Sequence, residues 1–252
     1  MMDFIRADLY RLMRSKGFWI TEFLLFCAII STTFFHANIH FGANISSNAS
    51  ASQSLGKLTG LQALDYFAGN TDSLLFFTII GISMVLGVDL SRKLYKNCLS
   101  YGISKLSYYF SKFFVCVSIA AFHFLMILSI SFVTASLSNG IGSASVSFLP
   151  QLGAALFVQF LGTIAWIAII SFVLYASHSI VSSFLTYFLG GTLLTIPLIF
   201  YPDNEWLIYL TLRFNTNTAA DGGAVIKAIL TVVTVTLLFL GSGLMVFKKK
   251  DL

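Results

Sequence analysis

Between Phe113 and Pro202 the chain has no Asp, Glu, Lys or Arg, a run of ninety residues. A water-soluble fold has to cover part of any such stretch with charge. The run therefore excludes a cytosolic enzyme, and it excludes a nucleic-acid-binding module despite the formal net charge of +5. Charge is scarce throughout: 10% of the 252 residues, against about 25% in an ordinary soluble domain. Only 3 prolines accompany 26 phenylalanines, which excludes a disordered or collagen-like chain. The 3 cysteines are Cys27, Cys98 and Cys116. None falls in a segment expected outside the cell, so no disulfide framework is expected. What the chain has instead is apolar surface: 57% hydrophobic, 15% aromatic, mean hydropathy +0.87. The sequence reads as an integral membrane protein.

A hydrocarbon core about 30 Å thick needs roughly 20 apolar residues of helix. Six segments meet this need, some with help from small polar residues: 18–36, 73–89, 113–135, 151–175, 183–201 and 224–247. They predict an all-α, polytopic fold, a single transmembrane domain over 1–252. The fifth segment holds Gly190, Gly191 and Pro197, which predicts a bend or a broken helix. The first is too long for a signal-peptide core and is expected to be retained. With the N-terminus in the cytoplasm, Arg6, Arg11, Arg14, Lys16, Arg92, Lys93, Lys96, Lys105, Lys112, Lys248, Lys249 and Lys250 fall inside, and Lys57, Arg213 and Lys227 outside. Twelve against three is the bias expected of inner loops. It places both termini in the cytoplasm.

Most signatures of chemistry are missing. A phosphate-binding loop requires G-x-x-x-x-G-K-[ST], and the one Gly-Lys pair, Gly56-Lys57, lacks the leading glycine and is followed by Leu58. His36 and His40 are one turn apart but have no carboxylate beside them, so no metal site is expected. His123 and His178 stand apart and read as hydrogen-bonded helix residues. Glu22, about one turn into the first span, is the one acid at membrane depth, and such a residue is a functional candidate by default. It could equally be a structural pair, with Lys16 or a basic residue of the central loop. Carriers driven by protons or sodium usually place carboxylates at mid-membrane, and the uncharged run argues against that class. Neutral span residues such as Gln159, Thr163, Ser171 and Ser183 suit either close packing or a greasy cavity.

Two segments outside the spans carry pattern. Residues 2–16 form an amphipathic helix with Met2, Ile5, Leu9, Leu12 and Met13 on one face and Asp3, Asp8, Arg11 and Arg14 on the other. It suits the membrane interface, either as a simple anchor or as an elbow touching a cytoplasmic partner. The inner loop 90–112 interleaves its basic residues with Leu94, Tyr95, Leu99, Tyr101 and Ile103. Arg92 and Lys96 are one turn apart on a possible helix, which Gly102 can end before Ser104 caps the next. The charges fit inner-side topology alone, and the aromatic interleaving fits a short helix seated in a groove on another protein. On the other side, Leu55, Leu58, Leu61, Leu64 and Phe67 predict an interfacial helix.

These segments carry a resemblance. Phe4-Ile5-Arg6-Ala7-Asp8-Leu9-Tyr10-Arg11-Leu12-Met13-Arg14-Ser15-Lys16-Gly17-Phe18-Trp19 is similar to the basic elbow that leads into the first span of ABC-2 type ABC transporter permeases. Lys96-Asn97-Cys98-Leu99-Ser100-Tyr101-Gly102-Ile103-Ser104-Lys105, followed by Tyr108-Tyr109-Phe110-Ser111-Lys112, is similar to the region holding that family's coupling helix. Lys105 stands where Arg is more usual, with the charge kept. Nearly the whole layout resembles such a subunit, especially the small bacterial kind associated with lantibiotic or bacteriocin immunity and peptide export. The resemblance implies a six-span subunit of a bacterial cytoplasmic membrane, not itself an enzyme and without a cofactor of its own. It would dimerise with a second copy or a sister permease and recruit two cytoplasmic ABC ATPases, which bind ATP and Mg. Arg92, Lys93, Tyr95, Lys96, Asn97, Leu99, Tyr101, Gly102 and Lys105 would couple to the ATPase, with Arg6, Arg11, Arg14 and Lys16 of the elbow beside them. The implied cargo is an amphipathic antimicrobial peptide. A lipid, a small hydrophobic antibiotic, or a non-transporting regulator that docks a cytoplasmic protein are the alternatives.

Overall fold

The structure, a computed structural model, describes residues 2–35, 58–69, 72–143, 147–201, 205–212, 214, 219 and 221–249. All regular structure among them is helical. Helix α1 (Met2–Met13) is followed after a two-residue turn by α2 (Lys16–Phe35). Trp19 Nε1 donates back to the Met13 carbonyl at 2.7 Å and fixes this elbow. Next come α3 (Gly60–Gly69) and α4 (Asp72–Ile82), which runs through a π-helical segment (Ser83–Gly87) into α5 (Val88–Ser91). The short α6 (Tyr95–Ser100) precedes α7 (Lys105–Asn139) and α8 (Phe148–Ser177). The rest is α9 (Ile180–Phe200), α10 (Glu205–Leu210) and α11 (Gly222–Lys249).

The organising element is α7. Its 35 residues extend about 52 Å at 1.5 Å per residue, longer than a hydrocarbon core of about 30 Å. It therefore projects beyond the lipid while its middle packs against α2, α4 and α8. α8 and α11 lie along each other over most of their lengths. α7 also approaches α11 closely at Gly243, where an added Cβ would stand 2.6 Å from Tyr109 Oη. That hydroxyl donates to the Leu240 carbonyl of α11 at 2.9 Å. At the far end of α7, the Gly60 and Leu61 amides donate to the carbonyls of Gly140 and Ile141, and Asn139 Nδ2 donates to the Leu58 carbonyl. The amphipathic patch expected there is α3, which buries Ala63 and Phe67; Leu55 lies outside the described residues. Large apolar side chains of α2, α9 and α11, among them Phe23, Leu185 and Leu237, face outward, as they must where lipid is the solvent.

The expectation of six spans is corrected. Among the described residues four helices are long and apolar enough to cross a membrane: Lys16–Phe34, Lys105–Asn139, Phe148–Ser177 and Gly222–Lys249. The stretches read as the second and fifth spans are the shorter apolar helices Leu75–Ser91 and Ile180–Leu193. In the second, Asp72 opens α4 and the π-helical segment interrupts regular helix before Asp89. The fifth keeps its helix through Gly190, Gly191 and Pro197. The side on which either terminus lies rests on charge distribution alone.

Candidate functional site

The segment between α5 and α7 is built by two helix stops. After α5, Lys93 takes the left-handed conformation (φ 56°); the Leu94 amide donates to the Asp89 carbonyl at 2.8 Å and the Lys93 amide to that of Leu90 at 3.2 Å. After α6, Gly102 does the same (φ 88°), with the Ile103 amide on Cys98 and the Gly102 amide on Leu99. Both are Schellman endings, which recruit carbonyls that a helix end otherwise leaves unpaired. Ser104 then caps α7, its Oγ accepting from the Ser107 amide at 3.1 Å. Arg92 and Lys96 are accordingly not on one continuous helix, because the turn at Lys93 separates them. Residues 105–112, read as loop, are the first two turns of α7.

This short helix shows one face to solvent and buries the other. Arg92, Lys93, Lys96 and Asn97 are exposed, and Tyr101 is 87% exposed. Leu99 and Lys105 are half-buried, and Lys105 Nζ donates to the Lys248 carbonyl at the end of α11. Tyr95 differs from its neighbours: it is 6% exposed, edge-on to His178 at 5.7 Å and to Phe247 at 5.8 Å. It is therefore an anchor beneath the loop and not part of its outward face. Cys98 is half-buried beside it, and burial pushes its thiol up. Arg6 on α1 and Arg14 in the turn after it are exposed, as is Lys16 at the start of α2.

Beneath the loop lies a charge cluster. Lys112 Nζ is 2.6 Å from Asp8 Oδ2 and 2.5 Å from Asp89 Oδ2. Arg11 reaches Asp89 Oδ1 at 3.0 Å and Asp8 Oδ1 at 3.4 Å, and donates to the Val85 carbonyl of the π-helical segment at 3.4 Å. The Lys112 ammonium also stands 4.9 Å from the centre of the Phe4 ring and 5.4 Å from that of Tyr108. Lys112 is 0% exposed, Asp89 3% and Asp8 5%. Withdrawing one ion from water costs several kcal/mol, and only this alternation of two acids and two bases offsets it. Burial works against the Arg11 charge, but the hydrogen bond to Asp89 and the charges of Asp89 and Asp8 outweigh it and raise its pKa. Asp8 is thus not on the outer polar side of α1. It sits three residues after Ile5 and four before Leu12, which is the spacing of a single helix face.

A second buried polar contact lies deeper. His123 Nε2 is 2.7 Å from Glu22 Oε1, and His123 Nδ1 is 3.0 Å from Thr78 Oγ1. The three residues join α2, α7 and α4, and all are buried. Glu22 meets His123, not Lys16 or a basic residue of the loop, and His123 is the hydrogen-bonded helix residue expected. Of the neutral span residues, Gln159 Oε1 accepts from the Phe214 amide at 2.9 Å, Thr163 donates to the Gln159 carbonyl, and Ser183 lies 3.1 Å from Ser83. Of these contacts the Ser83–Ser183 pair joins the π-helical segment to α9, and the Thr163 bond lies within α8. Among the described residues no group of three His, Cys, Asp or Glu could hold a metal ion; His36 and His40 lie outside them.

The arrangement is a basic platform on a set of lipid-facing helices, and a family match decides its class. Residues 4–192 match the ABC-2 family transporter protein family. The chain belongs to that family. The match takes in α1, the loop and its charge cluster, and most of α9. Comparison with curated proteins and with solved structures found no match. This ABC-2 permease is a multi-pass membrane protein and the non-enzymatic component of its transporter; members of the family work with ATPase subunits in the cytoplasm.

Proposed function

We propose that this permease belongs to an ATP-driven exporter of amphipathic peptides, and that the segment Arg92–Lys105 receives a separate ABC ATPase on the cytoplasmic side. The observation that carries the reading is the two-sided helix α6. Left-handed residues Lys93 and Gly102 bracket it, its lower face is pinned through Tyr95, and the helix with its flanking turns presents Arg92, Lys93, Lys96, Asn97 and Tyr101 to solvent. Such a projection is rigid enough to transmit a push, and its charge suits an acidic groove. Movement of the ATPases through their nucleotide cycle would shift a permease dimer, formed with a second copy or a sister subunit, between access states. The uncharged run within the lipid favours a cargo whose apolar side is drawn from the membrane.

The test is co-purification of the tagged chain in mild detergent, followed by reconstitution in vesicles. Recovery of an ATPase whose activity rises in the presence of an amphipathic cationic peptide supports the whole reading. Stimulation by a lipid and not by peptide transfers the cargo to that class. An ATPase that binds without stimulation or transport leaves a docking regulator, and failure to recover any ATPase overturns the proposal.

A further inference from the structure

The four charges lie at a junction of the chain that docking alone does not require. Asp89 is the last acid before the loop, and Lys112 stands two turns into the helix that leaves it. Their side chains meet at 2.5 Å, so the two roots of the loop are tied to each other. Asp8 and Arg11 tie both roots to α1, and Arg11 extends the contact to Val85 in the π-helical segment. Apolar residues of equal volume would fill such a space at no loss of stability. Alternating charges add a single permitted geometry instead. The link continues through aromatic contacts: Tyr108, under the Lys112 ammonium, stacks on Phe247 of α11 at 5.7 Å, the ring that also meets Tyr95.

We propose that Asp8, Arg11, Asp89 and Lys112 are positioning residues of the transport cycle, a charge latch that holds α1 and both roots of the segment 92–104 as one rigid body. Displacement of the segment then reaches α7 and the π-helical segment together. The transport half of this inference rests on the docking reading above; the rigid-body half does not.

Arg11 is the residue to change, because its side chain is 47% exposed and its loss leaves the buried Lys112 with both carboxylates. Hydrogen exchange of the full chain in lipid nanodiscs is compared for wild type, Arg11→Gln and Arg11→Lys. In Arg11→Gln the amides of residues 94–104 are expected to exchange about tenfold faster while those within α8 keep their protection, and Arg11→Lys is expected to recover most of the difference. In vesicles Arg11→Gln is expected to retain the bound ATPase and lose cargo-dependent stimulation. Unchanged exchange over 94–104, or faster exchange spread through α8, overturns the latch. If exchange behaves as expected and no ATPase is recovered even with wild type, the latch stands and the docking reading falls.

Discussion

At the scale of single residues, the structure separates two tyrosines that the sequence presents as equivalents. Tyr95 and Tyr101 both interrupt a basic run, and nothing in their spacing distinguishes them, because a helix of six residues is too short for a periodic pattern. Burial distinguishes them. Tyr95→Ala empties an aromatic slot between His178 and Phe247 and is expected to lower stability by about 3 kcal/mol, as large-to-small changes in a core do. Tyr101→Ala is expected to change stability by no more than about 0.5 kcal/mol and to weaken ATPase recovery. Thermal melting in detergent beside a co-purification titration reads both; equal melting of the two variants would refute the assignment. The Glu22–His123 contact makes a second prediction. Glu22→Gln and His123→Gln are expected to be non-additive by about 1–3 kcal/mol in a double-mutant cycle, since each removes the same 2.7 Å contact. Additive melting shifts would mean that the pair is not formed. The sequence singles out Glu22 but not its partner, because a separation of 101 residues gives no local pattern; Asp8 was placed on the polar face by its charge although its spacing from Ile5 and Leu12 is that of the buried one.

At the scale of elements, α6 shows which boundaries a sequence reveals. Gly102 and Ser104 mark the end of one helix and the start of the next by residue type, a glycine where φ is positive and a hydroxyl where an amide needs a partner. Lys93 makes the same left-handed stop with a residue that gives no such mark. The cost differs accordingly: a side chain in the left-handed region loses roughly 1 kcal/mol relative to glycine. Lys93→Gly is therefore expected to slow hydrogen exchange of the α6 amides, and Gly102→Ala to speed it. The latter effect comes from the backbone alone, since an added Cβ at Gly102 would meet nothing within 4 Å. Exchange rates moving in the opposite directions would contradict the two Schellman endings. The same reasoning explains the miscounted spans. Apolar content marked 73–89 as a span, but hydropathy averages over a π-helical break at Ser83–Gly87 and is blind to the side chains around it, Asp89 and the incoming Arg11 among them.

At the scale of the whole molecule, the all-α membrane class was legible because it depends on long-range composition: a ninety-residue uncharged run admits few structures besides packed membrane helices, whereas the family was read from the segments 4–19 and 96–112. Which side of the membrane receives the loop depends on a different physical quantity, the bias of basic residues, and the docking reading depends on it wholly. Ser100 is the position to use. It is exposed at the end of α6, next to Tyr101 and away from the charge latch. The native Cys98 is a poor reporter, because burial raises its thiol above the ordinary value. A raised pKa means less thiolate at neutral pH, so Cys98 is expected to react slowly there and faster as the pH climbs. With Cys27, Cys98 and Cys116 replaced by Ala, Ser100→Cys is expected to resist a membrane-impermeant maleimide in intact cells and to label readily in inverted vesicles. A bound ATPase should then protect it. Labelling in intact cells would place the basic face opposite the compartment that holds ATP, and no rigidity in the loop or its latch could then connect this permease to a cytoplasmic motor.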